Sequence, residues 1–368
     1  MKIDTVEAIP YEIGMRKPLL FASGQMTTAD HVLVRITTDE GHVGIADVPP
    51  RPYTYGETQG SVVAVIETLF APLLVGADPF ARNAINAGMA RTVGNFAAKG
   101  AVDIALWDII GKSLGTSVHA LLGGFTPTVR VSHMVGFAPA QEMVDEALNY
   151  REQYGITSFK VKVGRRPVSL DVDACIALRE ALGADAELYL DANRGWSANE
   201  ALAVARACDG LGLLYLEEPC DALEVIGRQR LVRESPLTIM ADESVPTLGD
   251  VARELHNGGA SAISIKTART GFSESQKILG LCEGLGVDVI MGNQIDSMLG
   301  SVATVIFGAA FKHSSRRAAE LSNFLEFADF LITEPLVIKN GQISAPTAPG
   351  LGVTLDNNKL AAYRLDRK

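Results

Sequence analysis

Positive charge is in deficit in this chain. Its 368 residues carry 33 Lys and Arg against 43 Asp and Glu, a formal net charge of −10. A surface of that sign argues against nucleic acid and against an anionic membrane as partners. An anionic substrate must therefore be held by local positive charge. Cysteine is scarce: Cys175, Cys208, Cys220 and Cys282 lie far apart with no C-x-x-C spacing. A zinc site therefore lacks support, and the thiols are expected to be buried in a reducing compartment. No apolar run reaches the roughly 18 residues a membrane helix needs, and the start has no signal-peptide core. These features predict a soluble, cytoplasmic protein. No G-x-G-x-x-G follows a strand, and no Walker loop, H-E-x-x-H or G-x-S-x-G occurs. Dinucleotide, nucleotide-triphosphate, zinc-protease and serine-hydrolase chemistry lose their main signatures.

What is present falls into two textures. Residues 2–13, 31–37 and 42–46 alternate as strands, the last two joined across Asp39-Glu40-Gly41, a hairpin signal. Two turn-rich segments, Met15–Thr27 and Pro49–Tyr55, read as surface loops or as lids over a site elsewhere. Residues 61–70, 79–92 and 97–114 carry apolar residues at helical spacing. Leu121-Leu122-Gly123-Gly124 with Pro127 closes this part. After Pro127, strands and helices alternate to about residue 321. Seven or eight such units predict a parallel (β/α) barrel. Residues 343–368, with a short strand at Val353–Leu355, are expected to return to the first domain. The predicted domains are an α+β cap over 1–127, completed by 343–368, and a barrel over 128–342.

The stretch from Lys160 to Lys266 organises the barrel. Lys162, Asp191, Glu217, Asp242 and Lys266 each close a strand-like run, at intervals of 29, 26, 25 and 24 residues. Each interval is about one strand–helix unit, so the spacing brings these side chains to the C-terminal rim, where barrel enzymes place their chemistry. Three acids on adjacent strand ends are hard oxygen donors that suit Mg²⁺ or Mn²⁺. The competing reading is that each acid caps the helix after it, as Asp191 and Asp242 are placed to do. Without a metal, such a cluster would repel and shift its pKa values upward. Lys160 and Lys162 share one strand face, and Lys266 lies roughly opposite across a closed barrel. Partial desolvation or neighbouring cations would lower their pKa values and allow proton exchange near neutrality. Asp296, after the seventh strand, is placed to pair with Lys266. A lone strand-end lysine can equally be a solvated surface charge.

These residues resemble the enolase superfamily, in its muconate lactonizing enzyme subgroup. The matching stretches are Lys160–Lys162, Asp191–Trp196, Glu217-Glu218-Pro219, Ala241–Ser244, Lys266–Gly271, Ala101–Asp108 and Leu121–Gly124. The resemblance implies an α/β fold: a modified (β/α)₇β TIM-like barrel under an N-terminal α+β capping domain. It implies metal ligands Asp191, Glu217 and Asp242, acid/base lysines Lys162 and Lys266, and a Mn²⁺ or Mg²⁺ cofactor. Lys160, Asn193, Tyr55, Asp296 and Glu320 are expected substrate contacts, and Met15–Thr27 and Pro49–Tyr55 become the lids. The implied activity is cycloisomerisation of cis,cis-muconate to muconolactone in catechol degradation, by a homo-oligomer, often an octamer in such enzymes. Resembling details are Lys17–Gly24, Tyr55-Gly56-Glu57 and Glu320–Phe324. The alternatives are N-acyl amino acid racemase, dipeptide epimerase and o-succinylbenzoate synthase, or a metal-binding scaffold without catalysis. A sugar-acid dehydratase ranks last, because no histidine stands at the sixth or seventh strand end. Two departures from the family pattern, Phe272 for a glycine and Asp296 for a glutamate, fall on the Lys266 side.

Overall fold

The structure, a computed structural model, describes residues 1–21 and 24–366. Strands β1 (Ile3–Phe21), β2 (Gly24–Thr38) and β3 (Val43–Val48) form an antiparallel sheet in that order. β1 and β2 run well past the strand ends read from sequence. Much of Met15–Thr27, expected as a loop, is therefore a hairpin. Its register breaks between Gly14 and Leu19, around Pro18, which has no N–H to give a ladder. That break gave the segment its loop-like texture. Ala22 and Ser23, within this expected lid, lie outside the described residues.

Helix α1 (Gln59–Val65) starts at a capping box between Thr58 and Ser61. A π-helical stretch, Ile66–Phe70, and α2 (Ala71–Leu74) continue it, followed by α3 (Arg82–Met89), α4 (Phe96–Ser113) and α5 (Val118–Leu122). α4 is buried on nearly every face. Small residues allow this: it packs against β3 on one side and the barrel on the other. At Gly44 on β3 an added Cβ would stand 2.1 Å from the Ala105 carbonyl oxygen, so only glycine fits there.

The barrel alternates β4 (Thr128–Val135), α6 (Ala140–Tyr154), β5 (Ser158–Lys162), α7 (Ser169–Leu182), β6 (Glu187–Asp191), α8 (Ala198–Ala207), β7 (Leu213–Glu217), α9 (Val225–Glu234), β8 (Thr238–Ala241), α10 (Leu248–His256), β9 (Ala262–Ile265), α11 (Thr267–Leu285), β10 (Asp288–Met291), α12 (Met298–Ala310) and β11 (Ala319–Glu320). The strands are parallel, in the order β10-β9-β8-β7-β6-β5-β4-β11, so the sheet is the expected (β/α)₇β array. β12 (Gln342–Ser344) pairs antiparallel with β4.

The tail returns to the cap as expected. The Leu351 amide donates to Asp108 Oδ1, Val118 N donates to the Gly350 carbonyl, and Leu365 N donates to the Pro10 carbonyl. Val353–Leu355 is not a strand, however: Leu355 makes an isolated bridge to Ile332, and the tail's regular element is helix α13 (Asn357–Tyr363). Arg367 and Lys368 lie outside the described residues.

Candidate active site

The strand ends bring the predicted acids and lysines together. Lys162 and Asp191 are register partners on β5 and β6, and Asp191 and Glu217 are partners on β6 and β7. Asp242 follows the last residue of β8, and Lys266 follows β9. None of the three acids caps a helix in the following unit: Ser197 and Thr247 cap α8 and α10. The backbone turns sharply just beyond these ends. Asn193, Arg194, Glu218 and Ile295 all have positive φ, at 40°, 63°, 35° and 61°. Such conformations are costly for residues with side chains and collect at functional sites.

All three acids are fully buried. Lys160 Nζ lies 2.8 Å from Asp191 Oδ2, 2.9 Å from Glu217 Oε2 and 2.7 Å from Glu320 Oε1. Lys162 Nζ donates to Asp191 Oδ2 and to Asn193 Oδ1, both at 2.6 Å. On the other side Lys266 Nζ donates to Asp242 Oδ2 at 2.5 Å, while Arg269 Nη1 donates to Asp242 Oδ1 at 3.1 Å. The two lysines thus flank the acid row, one on each outer acid.

Charge balance corrects one expectation. Burial opposes the ammonium at Lys160 and Lys266, but the surrounding acids outweigh it. Asp191, Glu217 and Glu320 push Lys160 up, and Asp242, Tyr55 and Glu243 push Lys266 up. The surrounding acids thus favour the ammonium form of both, where the sequence led to an expectation of lowered pKa values. The acids split. Burial would raise Asp191 and Asp242, yet Lys160 and Lys162 hold Asp191 down, and Lys266 and Arg269 hold Asp242 down. Burial, with Asp191, Glu320 and Asp242 nearby, pushes Glu217 well up, against the opposing pull of Lys160.

Glu217 carries the fit test for a metal. Neither of its carboxylate oxygens has a hydrogen-bond partner: Lys160 is close but outside hydrogen-bond geometry. A buried carboxylate left so is costly. A divalent cation is the group that would satisfy it, and the all-oxygen donor set suits Mg²⁺ or Mn²⁺. Among the described residues no three acidic, His or Cys side chains converge on one point; the outer carboxylates are paired with Lys160, Lys162, Lys266 and Arg269 instead. The residues fit the ion in the kind of donor they offer.

The expected substrate contacts divide. Lys160, Asn193, Tyr55 and Glu320 line an open pocket of roughly 530 Å³ with Lys162, Asp191 and Lys266. Asn193 also donates to Glu243 Oε1 at 2.8 Å, which fixes the oxygen facing Lys162. Tyr55 OH accepts from Arg269 Nη1 at 2.9 Å. Asp296 does not pair with Lys266, whose ammonium is taken by Asp242. It lies behind the pocket wall, accepting from Asn293 Nδ2 at 3.2 Å and the Gln294 amide at 3.3 Å. Burial and Asp47 push its pKa up to about 6. Phe272 is fully buried, stacked on Phe307 and edge-on to Trp107, so that departure from the family pattern serves packing.

Sequence reasoning missed Arg269, Glu218, Arg51 and Gln294. Arg269 follows Lys266 by three residues on the same helical turn, a usable signal. Glu218 accepts from Arg228 Nη1 at 2.8 Å and from the Asp242 amide at 2.6 Å, bracing the ends of β7 and β8. Its place beside Glu217 was the only hint. Arg51 and Gln294 stand in the pocket lining; the place of Arg51 in the expected lid Pro49–Tyr55 was its one hint.

An acid row thus lies between lysines at the mouth of a capped barrel. The chain belongs to the mandelate racemase / muconate lactonizing enzyme family of the enolase superfamily: the N-terminal domain profile of that name matches residues 5–123, and the enolase C-terminal domain-like profile matches 142–359. It is similar to muconate cycloisomerase 1 of Rhodococcus opacus, 33% identical over 99% of this chain and 98% of that one. It is also similar to the L-Ala-D/L-Glu epimerase of Bacillus subtilis, 31% identical over 96% and 97%. A crystal structure of muconate lactonizing enzyme from Mucobacterium Smegmatis complexed with muconolactone superimposes with a TM-score of 0.98, at 55% identity over all of both chains. The chain is an isomerase of this family, and enzymes of the family use a divalent metal ion. No helix among the described residues is long and apolar enough to cross a membrane.

Proposed function

We propose that this enzyme is a muconate cycloisomerase, closing cis,cis-muconate to muconolactone within catechol degradation. Asp191, Glu217 and Asp242 would hold Mn²⁺ or Mg²⁺, which when bound would offset negative charge building on a substrate carboxylate. The observation that carries the reading is the placement of two lysine side chains, Lys162 and Lys266, on opposite flanks of the acid row. One substrate carboxylate lies against that row. An oxygen of the other carboxylate forms a C–O bond to the carbon β to the first, and the double-bond electron pair moves toward the first carboxylate. A lysine ammonium, at Lys162 or Lys266, then gives its proton to the α-carbon. Asn193 aims Lys162, and Arg269 with Asp242 aims Lys266. Lys160 holds Asp191 ionised and keeps counter-charge at the pocket floor. Cap residues 1–127 with 343–368 cover the barrel of 128–342, and the segments Met15–Thr27 and Pro49–Tyr55 act as lids. A homo-oligomer in the cytoplasm belongs to the same reading.

The 55% identity to a muconate lactonizing enzyme supports this substrate over the rest. A second reading, a dipeptide epimerase, is favoured by 31% identity to such an enzyme and by a two-lysine layout that would also serve two-base chemistry. N-acyl amino acid racemase and o-succinylbenzoate synthase use related proton transfers. Assaying muconate beside a panel of dipeptides and N-succinyl amino acids separates them. We expect kcat/KM for muconate to lead by about 100-fold or more, a gap of some 2.7 kcal/mol in transition-state binding. A dipeptide turned over faster than muconate would hand the site to the second reading.

A further inference from the structure

We infer that Arg51 and Gln294 form a second anion subsite that receives the substrate carboxylate not facing the acid row. Arg51 is in the proline-rich turn after β3, and Gln294 in the loop after β10. Both line the same pocket as Lys162 and Lys266. Arg51 Nη2 is shut off from solvent without a hydrogen-bond partner, and Nη1 has only Met26 Sδ at 3.9 Å. No carboxylate of the described residues forms an ion pair with it; Asp296 and Tyr55 act on it only at longer range. Gln294 is buried, and both polar atoms of its amide lack partners. Desolvated donors without acceptors are costly, and here they face a cavity instead of protein. The arginines and lysines on the floor are different in this respect: Lys160, Lys162, Lys266 and Arg269 all have carboxylate partners there.

A guanidinium with an adjacent amide N–H suits a carboxylate. Arg51 also lines the neighbouring groove beside Met26, Tyr53 and Gln59, so an anion entering on that side meets a cation first. The amino terminus of a dipeptide, a cation, would be repelled at this position. Resting on the muconate reading, the assignment gives the subsite a task. Arg51 holds one oxygen of the attacking carboxylate, and the other oxygen keeps its lone pair for the new C–O bond. The proton that completes the product still comes from a lysine, so no further reactant is needed.

Calorimetric titration of the Mn²⁺-loaded enzyme tests this without turnover. The probes are adipate, a saturated six-carbon dicarboxylate, and hexanoate, the same chain with one carboxylate. We expect the wild type to bind adipate about tenfold or more tightly than hexanoate. R51Q should weaken adipate by about tenfold or more and leave hexanoate within about threefold. Equal binding of the two probes by wild type, equal losses for both in R51Q, or an unchanged adipate affinity would overturn the assignment. If melting shows R51Q unfolded, Q294L decides by the same criterion. Inactivity on muconate would count against the proposed reaction while these affinities still judged the subsite.

Discussion

Glu217 is the side chain on which the electrostatics of the site turn. It is fully buried, lacks hydrogen bonds and has acids on both sides. Cation binding removes that penalty, and binding to the folded state alone raises stability by about 2.7 kcal/mol at 100 times Kd. Differential scanning fluorimetry with and without Mn²⁺ should show a clear rise in Tm for the wild type, and E217Q should lose most of that rise. An equal rise in E217Q would remove Glu217 from the ligand set. At the lysines, loss of a positioned general acid costs about 10²–10⁴-fold in rate. Steady-state kinetics on muconate should find one of K162A and K266A that impaired and the other less so; intact kcat in both variants would refute their roles. Asp296 makes a stability prediction. Its folded pKa, raised to about 6, lies above the unfolded value near 3.9. The folded state thus holds the proton more tightly, so this group's contribution is favourable below about pH 4 and declines as pH rises to about 6. The loss at neutral pH is on the order of 3 kcal/mol. Urea unfolding of D296N should therefore lose the wild type's decline between pH 4 and 6 and gain about 1–3 kcal/mol at pH 7.5. Unchanged pH dependence would contradict it. Of these residues, the acids and lysines were legible because strand-end spacing alone collects them. Arg51 and Gln294 were not, because an orphaned donor exists only once the chain is folded around it.

Elements were legible wherever a single period ran unbroken. β5 to β9 and the helices between them appear within a residue or two of the positions read from alternation. The misses share one cause, tertiary pairing that local pattern does not encode. Pro18 and the register break disguised the β1–β2 hairpin as a loop, and Val353–Leu355 found a single bridge where a strand was expected. Inside α11, Gly271 breaks the helical pattern with φ of 62°. That kink is needed: an added Cβ would lie 2.6 Å from Asp103 Oδ2, and Asp103 holds Ser273 by two hydrogen bonds. Positive φ and the clash together make G271A a strained variant. Thermal or urea unfolding should place it more than about 1 kcal/mol below wild type. A neutral or stabilising effect would show that the kink is not constrained as described.

At the scale of the molecule, cap and barrel share one core. α4 packs against β3 and α11 together, and the tail ties Leu351 to Asp108 and Leu365 to Pro10. Units joined through a buried helix should melt together. Calorimetry should therefore record one cooperative transition, and two separated transitions would mean that the halves fold independently. The shared core also holds the turn bearing Arg51 and Tyr55 over the strand ends, so the pocket is built from both halves. In the proposed reaction all of this serves one event: an ammonium proton reaching the carbon beside a carboxylate held against the acid row. The most direct test follows the ultraviolet absorbance of cis,cis-muconate with Mn²⁺ in deuterated water and then analyses the product. We expect the absorbance to fall and the product to carry one deuterium at the carbon α to its free carboxylate, on a single face. Persistent absorbance, or product without deuterium, would contradict lysine-delivered protonation at this site.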